Sequence, residues 1–218
     1  MTFDPSNPIV QLCAQGMALE AEGKIPEAHQ LFQQAWEAAT NDFEAFTAAH
    51  FLARNQPDAP SNLHWNLEAL HRAQAIPDES VQSYLPSLYL NVGKSHEQMD
   101  DLEQAVGYYR QAAEHSHLLP IGPYGDMIKS GISSALARTS SQNFNPPILT
   151  DLVNAWCERR DLKPLSFVLP AYIGNLGAKH DLAKLSSALS YLSATRCLAR
   201  EEQEKVEGVI AGLAIISH

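Results

Sequence analysis

Residues 88–112, "LYLNVGKSHEQMDDLEQAVGYYRQA", decide the fold. Their Gly93-Lys94-Ser95 invites comparison with a phosphate-binding loop, which needs a further glycine five residues earlier so that backbone N–H groups can wrap the phosphates. Leu88 stands there. The stretch instead matches another part of the chain. Residues 11–35, "QLCAQGMALEAEGKIPEAHQLFQQA", align with it without a gap at an offset of 77, with Gly16 over Gly93, Ile25 over Leu102, Ala28 over Ala105, Phe32 over Tyr109 and Ala35 over Ala112. An alanine, an aromatic four residues on and an alanine three further share one helix face. A glycine in the first half lets two helices approach closely. Because a mid-helix glycine costs about 1 kcal/mol relative to alanine, its recurrence at matched places points to packing.

Each copy reads as a helix, a short turn and a second helix. Gly23 stops the first helix, Pro26 sits in the opening turn of the second, and Asp100 or Asp101 supplies the corresponding cap in the later copy. The offset leaves room for one more hairpin between the copies. Residues 42–75 fit it: Ala48 or Ala49 takes the small place, "QPDAPSN" is an enlarged turn, and Asn66, Leu70 and Ala73 keep the four-then-three spacing.

On these residues the chain resembles the tetratricopeptide repeat proteins, whose 34-residue unit carries a Leu-Gly pair and an aromatic in its first helix, then an alanine, an aromatic and an alanine in its second. The resemblance is best over 9–40 and 86–117 and degraded over 42–76, where the turn is enlarged. It implies an all-α fold, a right-handed superhelical stack of antiparallel helical hairpins, with the first helix of each hairpin lining a concave groove that holds a peptide or protein segment. The groove positions it implies are Cys13, Met17 and Glu20 in the first copy, Ala49 or His50 in the second, and Leu90, Asn91, Lys94 and Glu97 in the third. Some family members grip a terminal carboxylate with Lys and Asn at inner positions. Asn91 and Lys94 have the right chemistry, but Cys13 and Met17 stand where the paired donors would be, so a mixed apolar and polar groove is expected.

Beyond His117 the pattern weakens. A Pro/Gly-rich turn, "GPYGD", precedes a helix over 123–139, and "SSQNFNPP" is the strongest break, with Asn145 placed to cap the next helix. A further hairpin follows, with Gly174 or Gly177 in its first helix and His180-Asp181 at its turn, and the last helix carries an apolar stripe through Val206, Val209, Ile210, Leu213 and Ile216. A terminal helix with one polar side shields the end of a stack. The total is about eleven helices and no strand, in a repeat region 1–140 and a divergent helical part 141–218.

Composition bounds the function. The 218 residues hold no apolar run long enough to span a bilayer. A net charge of −10, with 15 Lys and Arg spread along the chain, disfavours a nucleic-acid partner. The N-terminus shows no basic segment followed by an apolar one, and three separated cysteines suit reduced thiols in a cytoplasm. His96-Glu97 begins a zinc-protease helix motif, but Asp100 replaces the second histidine, so no metal site is expected. With no Gly-rich loop after a strand and no nucleophile elbow, the chain reads as a non-catalytic interaction module without a cofactor. The alternative is a helical regulatory domain sensing a small ligand or peptide. Self-association through the C-terminal helices could accompany either.

Overall fold

The computed structural model describes residues 4–140 and 144–216, with the backbone alone at 79, 80, 215 and 216. The described chain is all-helical, with eleven helices of at least 11 residues, one single-turn helix, a 3-10 turn, and no strand. It divides into two compact units, residues 1–120 and 121–218. The helix expected over 123–139 lies in the second of these units.

The first unit holds α1 (Pro8–Ala21), α2 (Ile25–Ala38), α3 (Asp42–Leu52), α4 (Ala59–Gln74), the single turn α5 (Glu79–Gln82), α6 (Leu85–Gln98) and α7 (Leu102–Glu114). Three hairpins result, α1–α2, α3–α4 and α6–α7, with α2 packed on α3 and α4 on α6. The 77-residue offset survives in detail. Pro8 and Leu85 open the first helices of the outer hairpins and Ile25 and Leu102 open the second. Gly23 (φ +78°) and Asp100 (φ +60°) turn the chain at the equivalent place. Aspartate is among the few residues besides glycine that tolerate this left-handed conformation. Asp101, not Asp100, caps α7, accepting the Gln104 N–H at 3.3 Å.

The recurring small residues set the hairpin packing. A Cβ built on Gly16 would lie 2.3 Å from the Phe32 ring, and one on Gly93 would lie 2.5 Å from the Tyr109 ring and 3.2 Å from the Ala105 carbonyl oxygen. Only a bare Cα lets α1 close on α2 and α6 on α7. Ala28, Phe32 and Ala35, like Ala105, Tyr109 and Ala112, are buried. In the middle hairpin Ala48 and Ala49 are both fully buried, as are Leu70 and Ala73 within a few per cent. Between neighbouring hairpins Trp36 of α2 meets Trp65 of α4 edge to face, with centroids 5.1 Å apart, an arrangement aromatic pairs favour.

The second unit holds α8 (Pro123–Ser140), α9 (Pro147–Glu158), α10 (Leu162–Ile173), α11 (Lys179–Ala194) and α12 (Arg200–Ile216). Its core joins Leu152 and Trp156 of α9, Val168 of α10, Leu185 and Leu189 of α11, and Val206, Val209 and Leu213 of α12. Three local expectations change. Gly174 and Gly177 lie after α10, not within it; Gly174 is its C-cap and Gly177 (φ +83°) makes the turn. Asn145 does not cap α9, whose N-cap is Pro146. Its amide nitrogen donates to the Tyr172 carbonyl at 3.0 Å and its oxygen accepts from Asn175 at 3.0 Å, tying the chain before α9 to the α10–α11 turn. His180 and Asp181 stand in the first turn of α11, where Asp181 takes a buried ion pair from Lys129 of α8. Residues 141–143 of the break and the Ile216 side chain of the apolar stripe fall outside what is described.

Candidate functional site

In the first unit, a cleft of about 380 Å³ lies where the end of α3, the start of α4 and the last two turns of α6 come together. One wall is His50, Arg54 and Asn55 from α3 and the turn after it; the facing wall is Asn91, Lys94 and Gln98 from α6. The α6 residues recur at three and four positions, which puts them on one helix face. Asn62 and Asn66 of α4 form the floor.

The floor exists because a polar residue occupies a core position. Asn66 stands where the outer hairpins have Ala28 and Ala105, and it is 5% exposed. A buried amide must find partners. Its nitrogen donates to Asn62 Oδ1 and to Ser95 Oγ, both at 3.0 Å, and Ser95, fully buried, donates to Asn62 Oδ1 at 2.5 Å. Asn62 in turn donates to the Ala53 carbonyl at 2.6 Å. The chain binds α4 to α6 directly beneath the cleft.

Of the positions expected to face a groove, the structure brings His50, Asn91 and Lys94 together in this cleft. Cys13 and Leu90 are buried, at 1% and 2% exposure. Both lie three residues before a packing glycine, on the stripe Ile9, Cys13, Gly16 and its counterpart, so they face the partner helix. Burial pushes the Cys13 thiol up to about 12. Met17, the counterpart of Lys94, is exposed on α1 but outside the cleft. Glu20 and Glu97 are also counterparts, and their different partners follow from one hydroxyl. Tyr109 donates its O–H to Glu97 Oε2 at 2.5 Å. Phe32 offers no such donor, and Glu20 instead accepts from Asn55 Nδ2 at 2.5 Å and approaches Arg54 at 3.1 Å.

Two cations line the cleft, and one of them is already paired. No carboxylate lines it among the described residues, whereas Arg54 and Lys94 do. Arg54 keeps about half its side chain exposed (47%) while pairing with Glu20 and stacking over Phe51 at 5.9 Å. His50 is held between Phe46 and Phe51, with its Nδ1 buried and unpartnered. Burial first, and the Arg54 charge second, push the imidazole down to about 4, so it is neutral near pH 7.

Arg54, Asn55, Asn62 and Gln98 were not foreseen in the sequence. The one signal was Asn66 at an alanine position, which announced a polar contact between α4 and its neighbour. Among the described residues, no group of three His, Cys, Asp or Glu side chains could hold a metal ion, and no helix is long and apolar enough to cross a membrane. The chain matches no protein-family model and no curated protein.

Proposed function

We propose that the first unit is a non-catalytic recognition module of tetratricopeptide-repeat type, which holds an extended segment of a partner protein across the cleft between α3, α4 and α6. The observation that carries this reading is the row Asn91, Lys94 and Gln98. Their side chains make no protein hydrogen bond or ion pair among the described residues and face a cleft shared with Arg54 and Asn55. Amides that donate and accept suit the alternating N–H and C=O groups of an extended main chain. The cleft volume lies within the range of ligand sites, about 300–1,000 Å³, and fits a few residues of such a segment. His50, the imidazole that lines the cleft, is neutral and lacks the oriented partner that a general base needs. The overall charge of −10 favours a protein over a nucleic-acid partner.

Selection of a peptide-display library on the full chain tests this. Wild-type protein should enrich a defined set of sequences, and Lys94→Glu, still folded by circular dichroism, should lose them. Enrichment that is identical on wild type and Lys94→Glu would place recognition elsewhere.

A further inference from the structure

In the second unit, a groove of about 430 Å³ lies between α9 and α12. Leu152, 4% exposed, and the half-buried Ala155 give it an apolar floor, and Ile148, 52% exposed, stands toward the start of α9. Four of the five charged groups that line it are paired within the chain: Arg159 with Glu202 at 2.6 Å, and Lys205 with Glu201 at 2.7 Å. Asp151 is the exception. It is exposed and makes no hydrogen bond or ion pair among the described residues. Asp151 and Arg159 lie four residues to either side of Ala155, about 12 Å apart along α9 at 1.5 Å per residue.

We propose that this groove is the contact face of a homodimer, in which α9 packs antiparallel on α9 of a second copy about a two-fold axis at Ala155. A two-fold contact brings residue i of one copy to residue j of the other and j to i. Antiparallel pairing centred on Ala155 sets Asp151 against Arg159 of the second copy, and does so twice. A helix from another protein would have to supply both charges in the right order; the chain's own α9 already carries them. The small Ala155 at the axis lets the helices approach to the 8–10 Å usual for packed pairs, and Ile148 of each copy adds apolar area beside the ion pairs. Arg159 can take a second carboxylate without releasing Glu202, because only its Nη2 is engaged and a guanidinium has five N–H donors. Arg72 shows the same double use, with Nε on Glu68 at 2.7 Å and Nη1 on Asp42 at 2.9 Å. The net charge of −10 on each copy opposes association at low ionic strength. At 0.15 M salt, with a screening length of about 8 Å, that long-range repulsion fades while the facing pairs remain. The dimer stands independently of the cleft in the first unit, and carries two copies of it.

Sedimentation velocity of the full chain at about 0.15 M salt, over a wide range of protein concentration, tests this. The weight-average mass should rise with concentration toward twice the 24.0 kDa of one chain. Asp151→Lys, at an exposed position, places a lysine opposite Arg159 at both contacts and should raise the dissociation constant about tenfold or more, as facing like charges do. Arg159→Glu, which places a glutamate opposite Asp151, should do the same. An equimolar mixture of the two variants should associate as wild type does, because each charge then meets its opposite. Asp151→Lys/Arg159→Glu in one chain should likewise recover the homodimer. Circular dichroism establishes that each variant is folded. Should Arg159→Glu fail to fold, Arg159→Gln, which keeps an N–H donor for Glu202, takes its place; its mixture with Asp151→Lys should associate more tightly than Asp151→Lys alone. A chain that stays monomeric at every concentration, association that Asp151→Lys leaves unchanged, or a mixture no tighter than the single variants would overturn the proposal.

Discussion

Gly93→Ala and Gly107→Ala are the same chemical change on adjacent helices, and the structure assigns them opposite signs. Alanine is favoured over glycine in a helix interior by about 1 kcal/mol. At Gly107, exposed on α7, an added Cβ meets nothing within 4 Å, so that gain should appear nearly whole. At Gly93 the Cβ would sit 2.5 Å and 2.6 Å from two Tyr109 ring atoms and 3.2 Å from the Ala105 carbonyl oxygen. Ordinary carbon contacts are about 3.5–4.0 Å, so the ring must move by roughly an ångström. It cannot do so freely, being fully buried with its hydroxyl on Glu97. Overpacking of this kind costs about 1–3 kcal/mol; a fully buried ring that must move by roughly an ångström belongs in the upper half of that range, which leaves a net loss of about 1–2 kcal/mol. The two variants should therefore differ by about 2 kcal/mol or more, roughly 5 °C in melting temperature for a chain of this size. Urea and thermal unfolding by circular dichroism read the difference, with amide exchange in α6 and α7 locating it. Gly16→Ala, where the Cβ would approach Phe32 to 2.3 Å, should behave as Gly93→Ala does. A Gly93→Ala protein as stable as wild type would refute the close-approach reasoning.

His50 is neutral in the native cleft, down at about 4 against an ordinary 6.5. The unfolded chain therefore binds the extra proton first, and stability present above pH 6.5 is lost as pH falls toward 4, by up to about 3 kcal/mol. The urea midpoint should fall less between pH 7 and pH 4.5 in His50→Gln than in wild type, and parallel pH profiles would contradict this. In the second unit, Lys129→Met leaves the Asp181 carboxylate, 2% exposed, with the His180 imidazole at 3.0 Å and the Leu176 N–H at 3.3 Å, and should cost up to about 3–5 kcal/mol, of which Lys129→Met/Asp181→Asn should recover a large part; a double variant no more stable than the single would count against the pair. Lys94→Glu, on an exposed position, should leave the unfolding midpoint within about 0.5 kcal/mol of wild type while altering peptide binding. Cys157 and Cys197 are exposed and Cys13 is buried; a thiol reagent should titrate two cysteines quickly and the third only on unfolding, and three fast thiols would contradict the core placement of Cys13.

The repeat was legible because it is written in side-chain volume: Gly16 with Phe32 and Gly93 with Tyr109 are packing pairs whose spacing the helix fixes. The left-handed turn at Gly23 was legible from glycine, but its counterpart at Asp100 was ambiguous, since aspartate serves caps and turns alike. Cys13 and Leu90 were placed on the groove because the family resemblance describes the inner helices as wholes, whereas the stripe through Ile9, Cys13 and Gly16 shows which side each position takes. Arg54 and Asn55 were missed since they follow α3 in an irregular turn, where no periodicity says which way a side chain points. In the second unit, Gly174 and Gly177 look alike in sequence, and neither marked where α10 ends. The Asn145–Asn175 contact spans 30 residues and leaves no local mark at all.

The most direct test of the recognition site is a chemical-shift map of the full 15N-labelled chain with a peptide chosen from an unbiased display library. Shifts concentrated on Arg54, Asn55, Asn62, Asn91, Lys94 and Gln98 are the predicted result. Shifts confined to the Trp36 and Arg72 side of the first unit, or to the second unit, with these six unmoved, would contradict it.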